Sequence, residues 1–148
     1  MDEDVILKEV EKIVNSIDDK EGKLKKICKL LEEKIDHYDW VGFYLMEDGK
    51  LELGPYIGEP THHTSIDIGQ GVCGQAADRE ETYLVQDVDE EENYLSCSPK
   101  VKSEIVVPIF KQGKIAGEID IDSHELEAFS DEDEKLLESI AERVGKIL

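Results

Sequence analysis

The chain has 148 residues, of which 39% are hydrophobic and 36% are charged. It carries 17 lysines and arginines against 37 aspartates and glutamates, and the net charge of −20 argues against nucleic acid or an anionic membrane surface as a partner. No apolar run approaches the length of a membrane span, so we expect a cytoplasmic protein with one domain over residues 1–148. Three cysteines without close spacing do not predict a disulfide framework.

The first part of the chain predicts two amphipathic helices. Apolar residues recur at helical spacing from about residue 3 to residue 17, and a second apolar stripe follows Asp18 and Asp19. Cys28 belongs to this second stripe, so we predict that its thiol is buried and unreactive.

From Trp40 the hydrophobic pattern changes to the period of a strand. Residues 40–46 and 51–56 predict two strands, and the pair Asp48 and Gly49 between them is typical of a hairpin turn. The glycine-rich residues 71–77 predict a short helix, residues 83–85 predict a brief strand, and the acidic residues 87–92 predict a solvated loop.

A second hairpin and a final helix complete the predicted elements. Residues 103–109 and 115–122 read as strands joined by a turn at residues 111–113. The last helix begins after Ser130, a favourable N-cap residue that is followed by acidic residues in the first turn. This order predicts an α+β fold, with N-terminal helices and a C-terminal helix packed on an antiparallel sheet.

Three carboxylates fall within the second predicted hairpin. Side chains alternate along a strand, so Asp120 and Asp122 point to the same face, and Glu104 can converge with them. Because burying an unpaired carboxylate is costly, this set favours a pocket that uses the charges or the protons of its acids. The alternative is that these acids only cap loops or accept backbone N–H bonds. A calcium site is disfavoured, since the acids do not follow a calcium-loop pattern.

Two cysteines and two aromatic residues are further candidates. Cys97 lies in a predicted loop, whereas Cys73 lies at a helix start, where backbone N–H groups can favour a thiolate. Trp40 and Tyr44 share one face of a strand and can line either a pocket or the core. The adjacent residues His62 and His63 match no common zinc spacing with these cysteines, so no metal is predicted.

Four motifs together resemble a known family. They are WVGFY at residues 40–44, GVCG at 71–74, SEIVVP at 103–108 and DIDS at 120–123. This combination resembles the GAF-domain family and, within it, the free methionine-(R)-sulfoxide reductases. The resemblance implies catalytic roles for Cys97, Cys73 and Asp122, with Cys97 as the nucleophile. It implies that the substrate is bound by Trp40, Tyr44, Glu104 and Asp120.

The implied activity is thiol-dependent reduction of free methionine-(R)-sulfoxide to methionine. It needs no cofactor, and the partner would be thioredoxin or another thiol reductant. His63 stands where the family's first cysteine, the usual resolving residue, is expected. The alternative is a non-catalytic GAF module that binds a small molecule or senses redox state. The helices at both ends of the chain are compatible with a homodimer.

Overall fold

The computed structural model describes residues 2–96 and 98–148. Within these residues the chain forms four α-helices, one short 3₁₀ helix and six strands. In chain order they are α1 (Glu3–Val14), α2 (Lys20–Lys34), β1 (Trp40–Glu47), β2 (Lys50–Ile57), β3 (Ser65–Asp67), α3 (Gly71–Arg79), β4 (Tyr83–Val85), the 3₁₀ helix (Val88–Glu90), β5 (Ser103–Lys111), β6 (Lys114–Ser123) and α4 (Asp131–Gly145).

The described strands form one antiparallel sheet in the order β3-β2-β1-β6-β5-β4. Both predicted hairpins are present, and the predicted α+β class is confirmed. In the first hairpin, Asp48 and Gly49 have positive φ values of 49° and 78°, the backbone that a tight two-residue turn requires. The two long hairpins meet along β1 and β6, so these strands lie at the centre of the sheet.

The two faces of the sheet support two separate apolar clusters. Helices α1, α2 and α4 cover one face, where Ile119 and Ile121 of β6 are fully buried. Helix α3 covers part of the other face, together with Trp40 and Tyr44 of β1. Asp120, the residue between the two isoleucines, therefore points away from the three-helix layer, as the alternation predicts.

The C-terminal helix is anchored at its first turn. Ser130 and Asp133 form a capping box, which confirms the predicted N-cap. The Oδ1 atom of Asp133 also accepts a hydrogen bond of 2.7 Å from the Tyr38 hydroxyl and lies 3.0 Å from Nε2 of His37. This buried carboxylate joins α4 to the segment that leads into β1.

Three local expectations differ from the structure. Helix α1 ends at Val14 rather than near residue 17, and Ile17 is fully exposed beyond it. The acidic segment after β4 contains a 3₁₀ turn whose Val88 is buried, so it is not a wholly solvated loop. The short edge strand β3 was not predicted, because three residues are too few to establish a period. None of the helices in the described part of the chain has the length and apolarity to cross a membrane.

Candidate active site

A small cavity lies between α3 and the face of the sheet opposite the three-helix layer. It has about 30 Å³ of free space, which is room for one or two water molecules. A larger ligand must therefore displace part of the wall. The lining residues are Trp40, Tyr44, Thr61, His63, Ile66, Val72, Cys73, Tyr94, Leu95, Glu104, Asp120 and Asp122.

Three acids converge on this cavity from two neighbouring strands. In the register of the sheet, Asp122 of β6 lies opposite Glu104 of β5, and Asp120 lies two pairs further along, opposite Val106. All three side chains are at least nine-tenths buried, with exposures of 6% for Glu104, 5% for Asp120 and 3% for Asp122. Burial raises the pKa of Asp120, and hydrogen bonding with Glu104 and Cys73 offsets part of that rise. The site can thus hold a carboxylic acid beside carboxylates.

The Cys73 thiol belongs to the same cluster. Its Sγ atom donates a hydrogen bond to Oδ2 of Asp120 over 3.4 Å. Burial raises the pKa of the thiol well above its usual value, and the charges of Asp120, Glu118 and Glu104 raise it further. The expectation that the helix start favours a thiolate here is wrong. The reason is that burial and the neighbouring acids outweigh any effect of the helix N-terminus.

The aromatic wall of the cavity is held in place from outside. The Trp40 ring stacks on Tyr56, with ring centroids 5.4 Å apart, and its Nε1 donates to the carbonyl of Glu59 over 2.9 Å. The Tyr44 hydroxyl donates to the carbonyl of His63 over 2.7 Å. Burial and the nearby carboxylates raise the pKa of Tyr44, so the phenol stays protonated. Both rings can present an apolar surface to a ligand.

Two loops meet at the edge of the cavity beside His63. Nε2 of His63 lies 3.0 Å from the carbonyl oxygen of Ser96, so this imidazole connects the segment before β3 to the residue preceding Cys97. Cys97 itself lies outside the described residues. His62 is exposed and does not line the cavity.

One set of side chains has the geometry to contact a cation. Cys73, Glu104 and Asp120 each offer a donor atom within 4.8 Å of the other two. Across residues 2–96 and 98–148, no other three histidines, cysteines or acids meet that condition. One thiol and two carboxylates suit either a metal ion or an organic ammonium group.

Sequence analysis missed a fourth acid, Glu118. It lies two residues before Asp120 on β6 and faces the same side of the sheet, but it is fully buried and does not line the cavity. Burial raises the pKa of Glu118 well above its usual value, and the charge of Asp120 adds to the rise. The same alternation that marked Asp120 and Asp122 could have identified it.

Glu118→Gln is expected to flatten the pH dependence of stability. A raised pKa means that the folded state binds the proton more tightly than the unfolded state. The stabilisation is therefore complete below the unfolded pKa, about 4.3, and is lost as pH rises through the folded value. Urea unfolding across this range measures the slope, and an equal slope in both proteins would contradict the assignment. Glu132→Gln, at an exposed position of α4, is the control.

Comparison with known proteins identifies the family of this chain. The family model described as "GAF domain" matches residues 19–148. The chain belongs to the GAF domain family. Within this family it is 38% identical over 125 residues to the free methionine-R-sulfoxide reductase of Escherichia coli, an alignment that spans 84% of this chain and 75% of that protein.

Solved GAF structures agree with the fold. A type II free methionine-R-sulfoxide reductase from Thermoplasma acidophilum superposes with a TM-score of 0.84 at 40% identity, over 93% of this chain and 94% of that one. The Staphylococcus aureus reductase in complex with its substrate gives a TM-score of 0.91 at 37% identity, over 99% and 95% of the two chains. This GAF chain is therefore similar to enzymes along nearly its whole length.

Proposed function

We propose that this GAF protein reduces free methionine-(R)-sulfoxide to methionine, with Cys97 as the nucleophile. The observation that carries the proposal is the convergence of two aromatic rings and three buried acids on one cavity. It occurs in a chain that is similar to free methionine-R-sulfoxide reductases over most of its length. Fold alone does not determine function, and the proposal rests on these side chains.

The cavity has side chains that suit two groups of the substrate, its ammonium group and its S-methyl group. Ionised side chains among Glu104, Asp120 and Asp122 attract the ammonium group through charge-assisted hydrogen bonds. Trp40 and Tyr44 provide an apolar wall for the S-methyl group. Because the pocket is buried, these interactions are stronger than they would be in water.

The acid cluster also supplies a proton. Asp120 has a raised pKa and can donate to the sulfoxide oxygen, which makes the sulfur electrophilic. The family resemblance gives a catalytic role to Asp122, and the two aspartates are neighbours on the same face of β6. We therefore assign proton donation to this pair, with Asp120 as the holder of the proton.

The chemical step transfers one oxygen atom. The Cys97 thiolate attacks the sulfur of the protonated sulfoxide and forms an S–S bond. The hydroxyl then transfers to the Cys97 sulfur as that S–S bond and the substrate S–O bond break, which leaves a cysteine sulfenic acid and methionine. The substrate sulfur gains two electrons and becomes the thioether of methionine, while the Cys97 sulfur loses two. The donating carboxylic acid becomes a carboxylate.

Regeneration requires two further thiol equivalents. They convert the sulfenic acid to the thiol and one water molecule, and they leave as a disulfide. Because the pKa of the Cys73 thiol is raised, Cys73 is a weak nucleophile, which favours thioredoxin or a small thiol as the reductant.

The test is to incubate the protein with racemic methionine sulfoxide and dithiothreitol and to quantify methionine. We expect conversion to stop when the R form is consumed, with the S form left intact. If no methionine forms with any thiol while methionine still changes the fluorescence of Trp40, the alternative of a ligand-binding module is favoured. If the S form is consumed equally, the assigned specificity is wrong.

Gly42→Ala is expected to weaken substrate binding several-fold. A Cβ atom at this position would lie 2.4 Å from Cη2 of Trp40, so the indole must move out of the cavity wall. Trp40 is the only tryptophan, and its fluorescence during a methionine titration measures the affinity directly.

Gly54→Ala is the matched control for this variant. The three atoms nearest to the added Cβ would be the carbonyl oxygen of Phe43, at 3.2 Å, and two atoms of Leu45, so Trp40 is not among its nearest neighbours. An equal loss of affinity in both variants would contradict the role of Trp40 in the binding wall.

A further inference from the structure

The Cys73 thiol and two carboxylates lie close enough together to share one ion. Cys73 comes from α3, Glu104 from β5 and Asp120 from β6, and each offers a donor atom within 4.8 Å of the other two. Each of these side chains is more than nine-tenths buried, and each lines the cavity. The three residues lie far apart in the sequence, so only the fold brings them into one set.

The separations suit a small divalent cation. Tetrahedral zinc binds thiolate sulfur at about 2.3 Å and carboxylate oxygen at about 2.0–2.2 Å, which places two such ligand atoms about 3.6 Å apart. Sγ of Cys73 and Oδ2 of Asp120 are already 3.4 Å apart. Since no pair in the set is separated by more than 4.8 Å, side-chain shifts of about 1 Å bring all three atoms to zinc-ligand distances.

Asp120 has a buried oxygen atom that is available to a ligand. Its Oδ2 atom accepts the hydrogen bond from Cys73, whereas its Oδ1 atom has no hydrogen-bond partner within residues 2–96 and 98–148. A buried polar atom without a partner is costly, so a ligand that contacts this side chain from the cavity is stabilised by it. This oxygen is a separate observation from the spacing of the three donor atoms, and it points to the same place.

The thiol selects the class of cation. Calcium and magnesium prefer sets of oxygen ligands, whereas zinc and cadmium accept a thiolate together with carboxylates. No lysine or arginine is among the described lining residues, so a divalent ion would be the main positive charge in the cavity. The free space of about 30 Å³ holds such an ion and one water molecule without displacement of the wall.

We infer that Cys73, Glu104 and Asp120 bind a thiophilic divalent cation of the zinc class, with water as the fourth ligand. The thiol gives up its proton to solvent as the metal–sulfur bond forms, and no electron is transferred. The three protein ligands leave one coordination position open, as in zinc sites that are not purely structural.

The bound cation has a consequence for the proposed function. Glu104 and Asp120 are also among the acids assigned to the ammonium group of methionine sulfoxide, and they cannot hold both cations at once. The cation is therefore expected to exclude the amino acid competitively. This exclusion rests on the proposed function, whereas the cation site itself does not.

The first experiment detects the metal–sulfur bond without any turnover. Cd²⁺ is the probe, because a cadmium–thiolate bond absorbs in the ultraviolet and cadmium bound only to carboxylates does not. The titration uses reduced Cys97→Ser protein without added thiols, so that the signal reports the two remaining cysteines. We expect one Cd²⁺ per chain, displaced by Zn²⁺. Ca²⁺ should not displace it, since calcium prefers oxygen ligands.

Variants in the same background identify the ligands. Cys73→Ser should abolish the ultraviolet band. Asp120→Asn and Glu104→Gln should each weaken Cd²⁺ binding by at least about tenfold, the scale on which even the outer partners of a metal affect its affinity. Glu132→Gln, at an exposed position of α4, is the control and should bind as before. A band that persists in Cys73→Ser, or an affinity that neither acid variant lowers, would overturn the inference. The acid variants keep the test decisive if Cys73→Ser does not fold.

The second experiment measures the exclusion. Methionine is titrated against Cys97→Ser protein with and without Zn²⁺, and the fluorescence of Trp40 is recorded. When free Zn²⁺ is ten times its own dissociation constant, the apparent Kd of methionine should rise about tenfold by mass action. Cys73→Ser in the same background should show a much smaller rise. An equal rise in both proteins would mean that zinc acts on methionine in solution, and an unchanged Kd would mean that the two ligands do not compete. Either result would contradict the exclusion.

The two experiments separate the two proposals. If the wild type forms no methionine and methionine leaves the fluorescence of Trp40 unchanged, but the cadmium band depends on Cys73, the proposed function fails and the cation site stands. If the wild type reduces methionine sulfoxide but no cadmium band depends on Cys73, the cation site is wrong and the proposed function stands.

Discussion

Cys97→Ser is expected to reduce turnover of methionine sulfoxide below detection. A serine hydroxyl is a far weaker nucleophile towards sulfur, and it cannot form the sulfenic acid that carries the transferred oxygen. The measurement is methionine formation with dithiothreitol in excess. Methionine should still change the fluorescence of Trp40 in this variant, because the proposed binding residues are intact.

Cys28→Ser provides the matched control for the same chemical change. Cys28 is fully buried in the three-helix layer, and burial raises its pKa to about 12, which makes this thiol a poor nucleophile. We expect its variant to retain turnover. If Cys97→Ser stays active and Cys73→Ser loses activity, the nucleophile is Cys73 and the assignment to Cys97 is wrong.

Asp120→Asn is expected to lower kcat by roughly 100-fold, the lower end of what a general acid contributes. The amide has the shape of the acid but cannot release a proton to the sulfoxide oxygen. In the wild type, kcat should fall as pH rises through the raised pKa of Asp120, because the acid is then ionised. The variant should lack this decline. Steady-state assays over a series of pH values measure both effects.

Asp122→Asn tests how the two aspartates divide their roles. If Asp120 holds the proton, Asp122→Asn should raise KM through the lost attraction for the ammonium group, and should keep the decline of kcat at high pH. A larger loss of kcat in Asp122→Asn than in Asp120→Asn would assign the proton to Asp122. Melting temperatures of both variants should stay near that of the wild type. A large drop would mean that these acids are mainly structural.

The sequence was sufficient for the elements of the sheet and for the face on which the acids lie. Strict alternation in β6 assigns Asp120 and Asp122 to one side and Ile119 and Ile121 to the other, and the structure confirms this. Alternation is a local property of the extended backbone, so it can be predicted without knowing which strands and helices pack against that strand. The same rule marks Glu118, but it does not reveal that a helix covers this residue.

The protonation states of the cluster depend on packing that the sequence does not display. Local reasoning about Cys73 considered only the helix start, which predicts a lowered pKa. Folding instead places Asp120, Glu118 and Glu104 around the thiol, and these residues lie between 31 and 47 positions away along the chain. Desolvation and through-space charge act over a few ångströms regardless of separation in sequence.

The sequence by itself therefore determined the fold class, the family and the residue types available for chemistry. Only the tertiary structure decided which of those residues share a cavity and which groups keep their protons. It also showed that Glu118 is fully buried outside the cavity lining. The reason is physical: a pattern of apolar and polar residues encodes which side of an element is buried. The free energy of ionising a buried group depends on every dipole and charge that the fold brings beside it.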